Sequence, residues 1–153
     1  MFGKRISEYL AFQKGVLVLI AAVGLARLGL SLAGLPDSTV TWLSMNVVGW
    51  GAVLYYGVAV HTRGFGSYKQ LLPLGIFQTL LMQAIAVLGI LLSIAGFRNI
   101  FTAPEYSFGV QDQWMHLLSH LTVGLIVPPL LLWGVASLVL LITKRVAQRP
   151  AEA

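Results

Sequence analysis

Four long runs of apolar residues follow one another along the chain, at 15–35, 40–60, 71–97 and 121–142. A helix needs about 20 mostly apolar residues to cross the hydrocarbon core of a bilayer, and each run reaches that length. The pattern predicts an all-α integral membrane protein, with a four-helix transmembrane domain over 15–143 and an outer loop at 98–113. Before the first run, Phe2, Ile6, Tyr9 and Leu10 recur at helical spacing against Lys4, Arg5 and Glu8. That spacing reads as a short amphipathic segment, 1–14, lying on the cytoplasmic surface. Lys4 and Arg5 ahead of an apolar run also fit a secretory signal, but the run exceeds the roughly 7–15 residues usual for such a core, so we read it as a retained span.

The cations fall on alternate connections. Lys4, Arg5, Lys14, Arg63, Lys69, Lys144, Arg145 and Arg149 share one side if the helices run up and down, and Arg98 alone lies on the other, with Asp37, Glu105 and Asp112. Basic residues in short loops stay cytoplasmic, so both termini are expected inside and 144–153 reads as a cytoplasmic basic tail. Trp42 and Trp114 then begin the second and fourth spans at the outer interface, where amphipathic rings prefer to sit.

Composition agrees with this reading. The 153 residues are 58 % hydrophobic and 10 % charged, against about 25 % charged in an ordinary soluble domain. A net charge of +5 would suggest a nucleic-acid partner in a soluble protein, but here the basic residues serve orientation. Cysteine is absent, which excludes disulfides, Fe–S clusters and thiolate metal sites.

Helices in lipid associate through small residues that let backbones approach. Gly15, Ala22 and Gly29, with Ala26 and Ala33 on the same side, form such a stripe in the first span, which we expect to face the bundle core, with self-association as the other use. Gly89 and Ser93 offer one similar step. Pro73 falls in the first turn of the third span, where a missing N–H costs little. Pro128 and Pro129 lie well inside the fourth, where they free the carbonyls of Gly124 and Leu125 and are expected to kink or split the helix. Ser31-Leu32-Ala33-Gly34-Leu35 echoes Ser93-Ile94-Ala95-Gly96-Phe97, and Trp50-Gly51 echoes Trp133-Gly134, which suggests an up-down bundle made of two repeated helical hairpins.

Polar residues inside the spans are the candidates for chemistry. Arg27 lies about 12 Å below the outer end of its span at 1.5 Å per residue, Asn46 about 9 Å, and Gln83 near the midplane. Arg27, Asn46 and His120 are expected to converge, and Arg27, Asn46 and Gln83 are the candidates for a ligand or proton pathway. The plainer reading has Arg27 reaching outward to Asp37, Glu105 or Asp112. Asp112, His116 and His120 recur every four residues, so on a helix they share one face and offer part of a metal shell. His61 lies at the opposite end of the bundle, so a haem held by two histidines would have to be shared between copies. The loop 98–113 carries Phe101, Pro104, Tyr106 and Phe108, which suits a segment folded over the bundle mouth or docked on a partner.

No run of residues matches a catalytic or cofactor motif. The reading is of a non-enzymatic accessory or structural subunit of an inner (plasma) membrane, packed against another membrane protein or itself. The alternatives are an oligomeric small transporter or channel using Arg27 and the Pro128-Pro129 break, and an outer-facing metal or haem site at His116 and His120.

Overall fold

The computed structural model describes residues 1–103 and 112–148. Four of its helices are long and apolar enough to cross a membrane, and no strand occurs among the described residues. The long helices are α1 (Ile6–Leu32), α3 (Met45–Thr62), α4 (Tyr68–Ile94) and α6 (Val123–Ala147). Shorter pieces are α2 (Asp37–Val40), a 3-10 turn (Ile100–Thr102) and α5 (Gln113–Leu121). α6 packs extensively on both α3 and α4, α1 packs on the same two helices from the other side, and α1 and α6 share no substantial interface. Around the bundle the order is therefore α1, α3, α6, α4. Residues 1–5 and 148 lie at one end, and 33–44, 95–103 and 112–122 at the other, which we call the far end.

Capping explains most boundaries. The backbone N–H of Ser67 donates to Gln70 Oε1 at 2.7 Å, which starts α4 a turn earlier than hydropathy alone suggests and makes Pro73 its sixth residue. α1, α3 and α4 all end with the same pair of bonds, as in Leu35 N–H to Leu30 O and Gly34 N–H to Ser31 O, with a positive φ at Gly34, Gly64 and Gly96. This is the Schellman arrangement, which needs a residue that tolerates φ above zero. It accounts for the Ser-x-Ala-Gly echo between α1 and α4. α3 ends the same way at Arg63-Gly64-Phe65, out of register with any two-hairpin repeat, so the echo follows from capping chemistry.

Three expectations need correction. Residues 6–14 are no separate surface helix: α1 runs without interruption from Ile6, and Tyr9 and Gln13 are fully buried in the bundle. The small stripe of α1 does not face the core. Gly15, Ala22, Ala26, Gly29 and Ala33 are all exposed, and a Cβ on Gly15 or Gly29 would meet nothing within 4 Å. The bundle instead takes the face carrying Tyr9, Gln13, Ile20, Gly24 and Leu28, which supplies more side-chain volume and a buried polar link to α3, Tyr56 Oη to Gln13 Oε1 at 2.9 Å. The small residue that permits close packing is Gly57, whose absent Cβ would fall 2.5 Å from Val139 Cβ and 2.9 Å from Ala136 O. Finally, Pro128 and Pro129 do not split the fourth span. α6 continues through both, and the chain turns at Thr122 (φ −114°, ψ −86°), six residues earlier.

The second span is interrupted as well, between α2 and α3 at Thr41–Ser44, where the Ser44 hydroxyl caps α3 by accepting from Val47 N–H. Both interruptions lie at the far end. There the start of the outer loop folds back over the bundle: Asn99 Nδ2 donates to Gly89 O at 2.7 Å, Ile100 N–H to Ser31 Oγ at 2.8 Å, and the Ser93 and Thr102 hydroxyls meet at 2.9 Å. Gly89 is where Phe101 lands, since a Cβ there would come 2.4 Å from the ring. Pro104, Glu105, Tyr106 and Phe108 of that loop, and Arg149 of the tail, lie outside the described residues.

Candidate functional site

An interrupted helix in an apolar bundle leaves carbonyls without a helical donor, and each must be satisfied from elsewhere. Here a polar side chain from the preceding long helix does so at the first interruption, and another does so just after the second, at a carbonyl that a proline leaves unserved inside α6. Arg27 of α1 donates through Nη1 to Leu43 O at 3.4 Å and through Nη2 to Asp37 Oδ1 at 2.7 Å. Its side chain is only 12 % exposed. A guanidinium spans both acceptors because its donors lie in a fixed planar fork. With Gly24, Ser44, Met45, Asn46, Ile100 and Phe101 it lines a cleft of about 50 Å³, so Arg27 and Asn46 do come together.

Gln83 of α4 serves the carbonyl inside α6, two residues after the turn at Thr122. Pro128 has no N–H for the carbonyl of Gly124, and Gln83 Nε2 donates to that carbonyl at 2.8 Å. This leaves Gln83 Oε1 to accept from His120 Nδ1 at 2.5 Å, which fixes the proton of His120 on Nδ1. His120 Nε2 is then an acceptor, and His116 Nε2 donates to it at 3.2 Å. The result is a hydrogen-bonded chain, His116 to His120 to Gln83 to Gly124, joining α5, α4 and α6.

The expected convergence of Arg27, Asn46 and His120 therefore separates into two clusters, with Gln83 belonging to the histidines. Helical spacing does place His116 and His120 side by side, with ring centroids 4.9 Å apart. The carboxylate of Asp112 is engaged elsewhere: it caps α5, accepting from Trp114 N–H at 2.8 Å and Met115 N–H at 3.4 Å. Among the described residues no three His, Cys, Asp or Glu side chains gather as a metal shell. A metal at this point would take two ligands from the pair, since Nε2 atoms about 3 Å apart suit adjacent corners of a shell with bonds near 2.0–2.1 Å. Two neighbouring histidines on one helix do not face each other across a haem.

Two further amides in the long apolar helices, Gln13 and Gln78, escaped sequence reasoning. Both are fully buried, and Gln78 Nε2 donates to Gly49 O at 3.1 Å. The rule that singles out Gln83, polarity inside an apolar span, applies equally to Gln78; Gln13 was hidden because its segment read as a flank.

Fold and site together define a helical bundle of four candidate membrane spans, two of them interrupted at the same end and tied by polar residues from their neighbours. No protein-family model, curated protein or solved structure matches the chain.

Proposed function

We propose that this protein is a non-catalytic subunit of an inner-membrane complex, inserted with both termini in the cytoplasm, and that α1 packs against a transmembrane helix of a different membrane polypeptide. The observation that carries the reading is the outward face of α1. Gly15, Ala22 and Gly29 alternate there with Val18, Leu25 and Leu32, all exposed, at the 3–4 spacing of a helix-pairing seam. Lipid gains nothing from glycine and alanine at seven-residue intervals, whereas a partner helix gains close backbone contact. Arg27 and Gln83 are occupied in serving backbone carbonyls, which favours a scaffold over a ligand pathway.

Purification in mild detergent tests this. A second polypeptide in constant stoichiometry, lost on Ala22→Leu while the bundle stays folded, is the expected result. A monodisperse oligomer of this chain alone, or a partner retained by Ala22→Leu, overturns it.

A second reading rests on the 3.2 Å separation of the two imidazole Nε2 atoms: a divalent metal of the zinc or copper type bound by His116 and His120, with Gln83 orienting His120 through its Nδ1 proton. Metal uptake by the purified protein that is abolished by His120→Ala supports it, and absence of uptake removes it.

A further inference from the structure

A cavity of about 200 Å³ lies between α3, α4 and α6, lined by Asn46, Gly49, Trp50, Gln78, Met82, Pro128, Leu131 and Leu132. Trp50 and Leu131 line it while remaining 49 % and 56 % exposed, so the cavity opens between α3 and α6 on the outer surface of the bundle. In a membrane, that mouth faces the acyl chains. For scale, an apolar cavity of about 150 Å³ accommodates benzene. The lining here is apolar except for two carboxamides, Asn46 and Gln78. Gln78 is fully buried and its Nε2 is committed to Gly49 O, yet its Oε1 has no hydrogen-bond partner. An unsatisfied buried acceptor is destabilising, so a natural structure that keeps one on a residue beside a cavity calls for an account.

We propose that this cavity binds a single hydroxylated aromatic ring of the phenol or quinol class, drawn laterally from the bilayer, with Gln78 Oε1 accepting the hydroxyl proton. Size limits the guest to one ring with small substituents. Trp50 offers an aromatic face and Met82 a thioether, both of which favour a ring over an aliphatic alcohol. The requirement for a donor comes from Gln78. Its amide nitrogen is already donating to Gly49 O, which leaves the oxygen as the one group of that side chain a seated guest can satisfy. The hydroxyl supplies what the acceptor lacks, and the ring fills the apolar remainder. The site is independent of the α1 seam and of the histidine chain.

The test compares 4-ethylphenol with 4-ethylanisole, which keeps the ring and loses the donor, by calorimetric titration of the purified protein in detergent. The phenol should bind saturably with one site per chain and about tenfold tighter than the ether, as expected for one hydrogen bond to an otherwise unpaired acceptor. Gln78→Leu should bring the two affinities together. Leu131→Trp, at an exposed rim position that does not depend on core packing, should fill the mouth and abolish both. Equal affinity of the wild type for phenol and ether overturns the proposal. So does the absence of saturable binding, discrimination that survives Gln78→Leu, or binding that survives Leu131→Trp.

Discussion

Replacing Gln83 by leucine removes the donor that serves the Gly124 carbonyl and the acceptor that orients His120. Gln83, Gly124 and His120 are all half-buried, so each loss falls at the lower end of the about 1–3 kcal/mol typical of an unsatisfied buried group. Interhelical bonds in membranes also average below 1 kcal/mol, and together these give an expected destabilisation of about 1–2 kcal/mol. A single value in that range has many explanations, so the informative quantity is a coupling. The Gly124 carbonyl needs Gln83 because residue 128 is a proline. Pro128→Ala restores a backbone N–H at the fourth position after Gly124, and the helix can then satisfy its own carbonyl. Gln83→Leu should therefore cost about 1 kcal/mol less in the Pro128→Ala background, while the His120 contribution cancels between the two arms. Unfolding in mixed micelles, followed by circular dichroism for the four members of the cycle, reads this directly. Strict additivity, with Gln83→Leu equally costly in both backgrounds, refutes the account of how the fourth span is held together.

Other consequences follow from the same contacts. Asp37→Ala should destabilise by about 1–3 kcal/mol by removing the carboxylate 2.7 Å from the mostly buried Arg27, and Arg27→Leu combined with it should recover part of the loss; detergent unfolding of the three variants checks this. Gly57→Ala should cost about 1–3 kcal/mol because its methyl meets Val139 and the Ala136 backbone, whereas Gly29→Ala, which meets nothing, should leave thermal stability unchanged or slightly raised.

The long elements were readable because span length and charge-free composition are local properties; the helix ends were not read, although Ser-x-Ala-Gly and Thr-Arg-Gly carry their capping chemistry within a few residues. The side on which α1 packs was not readable. Small residues mark where helices can approach closely, but Tyr9, Ile20 and Leu28 offered the bundle more volume on the opposite face, and Gln13 a hydrogen bond. The fourth span was expected to kink or split at Pro128-Pro129 and does not split; prolines near a helix start are tolerated once a side chain serves the freed carbonyl, and that side chain lies 41 residues away in Gln83. Hydropathy also averages over short interruptions, which hid α2 and α5. The histidine spacing was visible in sequence, whereas its link to Gln83, and the diversion of Asp112 to a helix cap, depend on long-range packing and on the turn before α5.

The outward seam of α1 is tested most directly by site-specific cross-linking, since the chain has no cysteine of its own. One cysteine placed at Ala22 should give an oxidative or bifunctional cross-link to a different membrane polypeptide, and one at Leu138, exposed on α6, should give none. Equal reactivity at the two positions, or a product from Ala22 containing only this chain, would contradict a subunit that docks through α1.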